Sequence, residues 1–220
     1  MKELNDIIQA YDKAVTQKKR AALVTVVKVV GSSYRGPGAR MLVTEDGEIT
    51  GAISGGCLEG DALRKAQFAM FEQKNRLEIY DTSDDEDSNL GVQLGCNGIV
   101  YILFEPINND DPDHQVNLLK KVASKRVEAV LITLFNPDKS HVQKGTKGFV
   151  NEEESFFKDD EMKALKPDCT GVLADKLTLI NDYEGSCSVM FQFIAPAVQL
   201  VIVGAGNDAQ PLMDMAHLLG

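Results

Sequence analysis

The chain has little positive charge, no long apolar run and no closely paired cysteines, and each absence closes off a class of function. Its 23 basic side chains are outnumbered by 33 acidic ones, a formal net charge of −10, which argues against a nucleic-acid partner or an anionic membrane surface. No apolar stretch approaches the roughly 20 residues that a bilayer-crossing helix needs, so no membrane association is expected. The opening Met1-Lys2-Glu3-Leu4-Asn5-Asp6 mixes charges at once and lacks the apolar core of a signal peptide, so the expected location is cytoplasmic. The cysteines, Cys57, Cys96, Cys169 and Cys187, include no C-x-x-C pair and no zinc-ligand spacing, and a reducing compartment keeps them as thiols. His114, His141 and His217 fall in no metal-binding spacing and read as surface or half-buried residues.

What is present points to α/β. At 220 residues, 44% apolar and 25% charged, the chain is large enough for one well-packed core or for one domain with part of a second. Leu4, Ile7, Ile8, Tyr11 and Val15 recur at helical spacing, predicting a helix over 3–18 that ends on Lys18-Lys19-Arg20, where positive charge suits the dipole. A β-branched run predicts a strand over 21–30, and 39–44 and 48–53 flank Glu45-Asp46-Gly47 as a hairpin. Helical spacing over 58–71 precedes strands at 76–80 and 99–104. After a turn-rich connection at 106–112 come a helix at 115–125 and a strand at 129–135. Residues 136–171 carry only weak hairpin and helix signals, and strands follow at 177–180 and 188–194. No internal repeat is visible. The carboxylate-rich run 81–87 lacks the spacing and glycine of an EF-hand and reads as a solvated loop.

Two glycine-framed cysteines carry the chemical signal. They lie in Ser54-Gly55-Gly56-Cys57-Leu58-Glu59-Gly60-Asp61 and Leu94-Gly95-Cys96-Asn97-Gly98. Glycine admits positive φ and lets main-chain N–H groups approach a bound group without a Cβ in the way. A cysteine buried only for packing needs no such frame, although a tight strand-to-helix turn would also use Gly55-Gly56. Cys169 and Cys187 read as ordinary core or strand residues.

The end of the chain carries a second motif. An apolar strand, Val198–Val203, leads into Gly204-Ala205-Gly206-Asn207-Asp208-Ala209 and a helical pattern through Leu218. This is the strand, G-x-G-x-x-A turn and helix that opens a dinucleotide fold, with Gly204 and Gly206 beside the phosphate. The acidic ribose-binding residue that such a site needs about 20 positions on has no counterpart before Gly220. Residues 196–220 therefore read as the first strand and helix of an incomplete Rossmann-type domain. NAD(P) binding by this chain alone is not expected, and a unit that cannot bury its own core favours a homodimer that covers it, unless it docks on the body of the chain or stays disordered.

Taken in order, Gly31-Ser32-Ser33-Tyr34-Arg35-Gly36-Pro37-Gly38-Ala39-Arg40-Met41, Gly51-Ala52-Ile53-Ser54-Gly55-Gly56-Cys57-Leu58-Glu59 and Leu94–Gly98 resemble the signatures of the XdhC/CoxI family. Its members are maturation factors for molybdenum hydroxylases such as xanthine dehydrogenase and carbon monoxide dehydrogenase. The resemblance implies an α/β fold in which a mixed-sheet domain over 1–195, with a sub-boundary near 106–112, precedes the Rossmann-type unit. It implies a protein without catalytic residues that binds molybdenum cofactor, shields it and passes it to a hydroxylase client, while a cysteine desulfurase adds the terminal sulfur.

The cofactor is a phosphorylated pterin whose dithiolene binds the metal. Arg35 and Arg40 offer guanidinium forks for phosphate. Ser32, Ser33, Ser54 and the N–H groups of Gly55, Gly56 and Gly95 offer neutral donors. Cys57 and Cys96 are candidate soft metal ligands or sulfur carriers, with Glu59 beside them. Tyr34 reads either as a stacking partner or as a packing anchor, and both arginines could instead pair with surface carboxylates. Two other functions stay open on these residues: an NAD(P)-dependent oxidoreductase using the Gly204 turn, and a thiol enzyme with Cys57 as nucleophile.

Overall fold

A computed structural model of the chain describes residues 2–81, 97–183 and 187–219. Helix α1 (Lys2–Thr16) buries Ile7, Tyr11 and Ala14 on its apolar stripe. It stops at Lys18, whose φ of 58° turns the chain so that the Lys19 N–H reaches the Ala14 carbonyl at 2.9 Å. Strand β1 (Ala21–Gly31), then β2 (Arg40–Thr44) and β3 (Ile49–Gly51), form a meander, and the β2–β3 hairpin turns at Gly47, φ 91°. Helix α2 (Glu59–Glu72) carries the chain from one edge of this sheet to the other, where β4 (Arg76–Asp81) and β5 (Gly98–Pro106) pair.

The same sequence of elements then occurs again. Helix α3 (Gln115–Ser124) leads into β6 (Ala129–Phe135), β7 (Gly145–Asn151) and β8 (Ser155–Phe157). A 3₁₀ turn (Asp160–Leu165) and α4 (Lys166–Asp175) cross to the far edge, and β9 (Leu179–Tyr183) and β10 (Cys187–Ile194) complete a second sheet. The sheet orders are β3-β2-β1-β5-β4 and β8-β7-β6-β10-β9, so the two halves share one topology. Their central strands, Ala21-Ala22-Leu23-Val24-Thr25-Val26-Val27 and Ala129-Val130-Leu131-Ile132-Thr133-Leu134-Phe135, match residue for residue in character. The repetition lies in topology and in these central strands, while the loops and helices between them differ in sequence.

The α/β reading holds, and the sheets refine it. In place of a mixed sheet there are two sheets in which every pairing is antiparallel. Strands adjacent in sequence pair directly, which only antiparallel geometry permits with short links, and the helices cross between edges rather than between parallel neighbours.

Side-chain alternation along the strands sorts the core into layers. Val24, Val26, Met41, Val43, Ile102 and Phe104 face α2, whose Ala62, Ala66 and Ala69 let the helix lie close. Val130, Ile132, Val189 and Phe191 face α4. The opposite faces meet each other, with Val27 and Leu103 against Phe135 and Met190, and with α1 and α3 sharing the layer around Leu23, Leu131 and Phe149. Truncating a side chain as large and as fully buried as Phe104 is expected to cost about 3–5 kcal/mol, a large part of the net stability of a domain.

Several expectations need correction. Residues 198–203 form no strand, and their side chains are exposed, from Val198 at 96% to Ile202 at 36%. A strand needs a neighbour's main chain to pair with, and among the described residues this segment is held instead by Arg126, which donates to the Ala197 carbonyl at 3.2 Å and to the Gln199 side chain. The helix that follows does form, as α5 (Ala209–Leu219). His114 is buried: its Nδ1 accepts the Asn117 N–H at 3.3 Å as the cap of α3, and its Nε2 lies 3.0 Å from the Tyr11 hydroxyl. The last two strands run 179–183 and 187–194, displaced from the 177–180 and 188–194 expected. Most of the acidic run 81–87 lies outside the described residues.

Candidate functional site

Strand β1 leaves its sheet at Gly31, φ 82°, where an added Cβ would come within 2.8 Å of the Asn97 carbonyl oxygen. That close approach lets the Ser32 N–H donate to the same oxygen at 3.1 Å, with the Ser32 hydroxyl 3.3 Å away. The loop 32–39 is thus fastened at its base to the residue that precedes β5. Farther along, Arg35 donates to the Glu3 carboxylate at 2.7 Å, and the Gly38 N–H donates to the Val26 carbonyl at 2.8 Å. Between these anchors Tyr34 stands 74% exposed, with its ring resting on Gly55. A Cβ on Gly55 would lie 3.2–3.3 Å from three ring atoms, so only glycine lets the ring settle there without displacement.

The turn 53–58 is held by its own side chains. The Ser54 hydroxyl accepts the N–H groups of Gly56 and Leu58, each at 3.1 Å, and donates to Glu59. Glu59 reaches back and accepts the Ser54 N–H at 2.8 Å and the Ile53 N–H at 3.2 Å, an interlocked arrangement like a capping box. Burial pushes the Glu59 carboxyl up, but the bonds from the Ser54 hydroxyl and these main-chain N–H groups outweigh it and hold it below the usual carboxylate range. Ser54 and Glu59 are therefore spent on the shape of the turn.

The turn presents Cys57 half-buried, its sulfur 3.5 Å from the Ser54 hydroxyl and its side chain against the α2-facing core. Gly56, φ 110°, faces open space. Among the described residues the N–H groups of Gly55 and Cys57 make no hydrogen bond, so two donors and a thiol open beside the exposed ring of Tyr34. This combination can receive a flat ligand with acceptor atoms and a soft centre.

The other candidates divide clearly. Ser32 and half-buried Ser33 lie in the same loop, and Arg35 is engaged by Glu3 near its far end. Arg40 lies elsewhere: it alternates with Met41 and Val43, which face α2, and so points with Leu42 between the sheets, on the face of the first sheet opposite Cys57. Gly95 and Cys96 lie outside the described residues. Among the described residues no group of three His, Cys, Asp or Glu side chains could hold a metal ion. Gly204 and Gly206 are exposed beyond the second sheet, at the start of α5. Asp61 accepts the Tyr80 hydroxyl at 2.8 Å and pairs with Lys65 at 3.0 Å and Arg64 at 3.0 Å.

The chain is similar in sequence and fold to several known proteins. Residues 14–81 match the model of the XdhC and CoxI family, which covers the first two of the three segments that carried the resemblance. Over 207 residues, 93% of the chain, identity is 26% to a probable xanthine dehydrogenase component of Bacillus subtilis (strain 168), of which 58% is covered. A stretch of 100 residues, 46% of the chain, is 41% identical to the molybdenum cofactor insertion chaperone PaoD of Escherichia coli (strain K12), covering 30% of that protein. The crystal structure of a xanthine dehydrogenase from Bacillus halodurans shares the fold with a TM-score of 0.69 at 25% identity, over 98% of this chain and 60% of that one. The chain thus spans 60% or less of the length of these relatives.

Proposed function

We propose, for a chain that matches the XdhC and CoxI family over residues 14–81, that it binds molybdenum cofactor as cargo and delivers it to a molybdenum hydroxylase. The observation that carries this reading is the meeting of Tyr34 with the cysteine turn at Gly55. The pterin stacks on the open face of Tyr34, its carbonyl and ring acceptors take the N–H groups of Gly55 and Cys57, and the Cys57 thiol stands next to the dithiolene-bound metal. The arrangement suits a carrier: the donors are fixed by a turn that satisfies itself, and the Cys57 thiol lies against the Ser54 hydroxyl. Likeness to a cofactor insertion chaperone in E. coli supports the same reading.

The wider picture follows from this role. Residues 1–195 form the cofactor-binding unit and 196–220 the opening of a Rossmann-type unit. The protein works in the cytoplasm as a homodimer, its client is a molybdenum hydroxylase, and a cysteine desulfurase supplies the terminal sulfur while the cofactor is held.

The test is retention of the cofactor. Purified protein is incubated anaerobically with molybdenum cofactor, passed through gel filtration and assayed for pterin and molybdenum in the protein peak. Wild type is expected to retain both and to activate an apo-hydroxylase. Cys57→Ala is expected to lose molybdenum preferentially while its circular dichroism stays unchanged. Absence of cofactor from the wild-type peak would end the proposal.

A further inference from the structure

The repeated topology gives the space between the sheets two equivalent corners, and they are filled differently. In each, the start of the second strand of one half faces the last strand of the other half. In one corner Glu105 of β5 crosses to β7, where its carboxylate accepts the Thr146 N–H and, at 3.0 Å, the Thr146 hydroxyl. It fits over Gly145, φ 87°, where a Cβ would lie 2.5 Å from its oxygen. Leu23 registers with Glu105 and Leu131 with Gln192, while Thr133 registers with Thr146 and Thr25 with Arg40. Gln192 therefore takes the place of Glu105 in the second corner, and Arg40 takes the place of Thr146. The glycine recurs as well: Gly38, φ 93°, lies under Gln192, with a Cβ position 2.2 Å from the Gln192 nitrogen.

In the second corner no carboxylate crosses between the sheets as Glu105 does in the first. Arg40, 4% exposed, donates through Nη1 to the Gly38 carbonyl at 2.9 Å, but its Nε and Nη2 have no partner. Gln192 donates Nε2 to the same carbonyl at 3.3 Å, which fixes the amide orientation and leaves its Oε1 also without a partner. Both residues line a cavity of about 270 Å³ with apolar walls from Leu4, Ile7, Phe193 and Ile194. The first turn of α1 borders it, and the dipole there favours an anion. Glu3, at the same border, is neutralised by Arg35. Burial draws the Arg40 pKa down to about 10, against the attraction of Glu105 and Glu3, so the guanidinium is charged at neutral pH.

We infer that this inter-sheet cavity is a binding site for phosphate or a phosphomonoester. When the buried ends of Arg40 and Gln192 turn toward the cavity, two oxygens of the monoanion accept from Nε and Nη2 of Arg40 side-on, and its P–OH donates to Oε1 of Gln192. The ligand supplies from outside the oxyanion that Glu105 supplies internally in the equivalent corner. This site does not depend on the cofactor reading, since it lies on the opposite face of the first sheet from Cys57.

Isothermal titration and thermal melting at neutral pH test it, with inorganic phosphate, sulfate and glycerol phosphate as probes. Phosphate is expected to bind saturably at one site and to raise the melting temperature. Sulfate, which has no O–H for Gln192, is expected to bind about tenfold more weakly or worse. Arg40→Lys, which loses the fork, should weaken phosphate about tenfold or more. Gln192→Glu builds the missing carboxylate into the corner, so it should melt higher than wild type without phosphate and no longer respond to it; this variant remains informative if Arg40→Lys fails to fold. Tighter binding of glycerol phosphate identifies the phosphoryl end of a larger molecule as the ligand, and weaker binding identifies the free ion. No saturable phosphate response in wild type, or an undiminished one in Gln192→Glu, overturns the inference.

Discussion

Glu59 offers the sharpest test of how the cysteine turn is built, because one side chain holds three donors. It accepts the Ile53 and Ser54 N–H groups at 3.2 and 2.8 Å and the Ser54 hydroxyl, and Ile53 and Ser54 are 0% and 7% exposed. Hydrogen bonds to a charged acceptor contribute about 1.5–3 kcal/mol each where water is excluded. Glu59 is only half-buried, so water replaces part of what alanine removes, and the expected cost of Glu59→Ala is about 2–4 kcal/mol rather than the full sum. At about 2–4 °C per kcal/mol for a chain of this size, the melting temperature should fall by about 4–16 °C. Glu59→Gln keeps one acceptor but turns an amide N–H₂ toward a serine oxygen that already accepts two N–H groups, so an intermediate loss is expected.

The pH dependence has a definite sign. The folded-state pKa of Glu59 lies below its unfolded value, so its contribution is complete above the unfolded pKa and fades as pH falls through the folded one. The gap between wild type and Glu59→Gln should therefore narrow in acid. Calorimetric melts from neutral to acid pH measure both effects. A Glu59→Ala protein that melts within about 1 °C of wild type would refute this account of the turn.

Three further outcomes follow from the same geometry. The chain has no tryptophan, so Tyr34→Trp installs a lone tryptophan on Gly55, excited selectively to the red of the tyrosines, and its emission is expected to quench when molybdenum cofactor binds; Tyr34→Ala should weaken retention about fivefold or more, the loss of one stacking contact. Burial raises the Glu105 carboxyl more than the bonds from Thr146 and the attraction of Arg40 lower it, so its effect on wild-type stability is most favourable below the unfolded pKa and declines as pH rises through the folded one; melts of Glu105→Gln against pH should lack that decline. Gly38→Ala sets a Cβ 2.2 Å from the Gln192 amide at a φ of 93°, and its midpoint in urea should fall by an amount equivalent to about 1–3 kcal/mol.

Much of the fold was legible because hydrophobic period and turn residues act locally. The stripe through Ile7 and Tyr11, the Gly47 hairpin and the apolar runs of β1, β5 and β6 all declare themselves within a few residues, although Val15, read as part of that stripe, is exposed. The second half was harder to read over 136–171. Its β7 is buried on both faces and carries two glycines and an asparagine rather than an alternating pattern, and its crossing helix follows a 3₁₀ turn with no side-chain cap. The strand expected at 198–203 fails for the opposite reason: the local pattern is right, but a strand also requires a neighbour that no local pattern supplies.

The site was legible by residue type and less so by direction. Glycines beside Cys57 pointed to the turn, yet nothing in their spacing tells that Ser54 and Glu59 consume each other or that Gly55 is the seat of Tyr34. Arg40 is the clearest case. Its side chain stands next in sequence to Met41, and one residue of strand is enough to send the two to opposite faces.

Direction also explains how one loop can serve two chemistries. The segment 32–39 begins against Asn97, rests Tyr34 on the cysteine turn, and ends at Gly38 under Gln192. Its outer part faces the turn on the α2 side of the sheet, whereas its last residues enter the gap between the sheets. Because Ser32, Arg35 and Gly38 are each tied to a different element, Asn97, α1 and β1, the loop cannot shift at one end without straining a contact at the other. Filling the Arg40 cavity would fasten Gly38 and α1 further, and that restraint reaches Tyr34 through four residues of loop. Phosphate should then slow the exchange of loop amides in hydrogen-exchange measurements even where no phosphate contact exists, and amide rates at 33–36 that ignore phosphate in a protein that binds it would show the two ends to be mechanically separate.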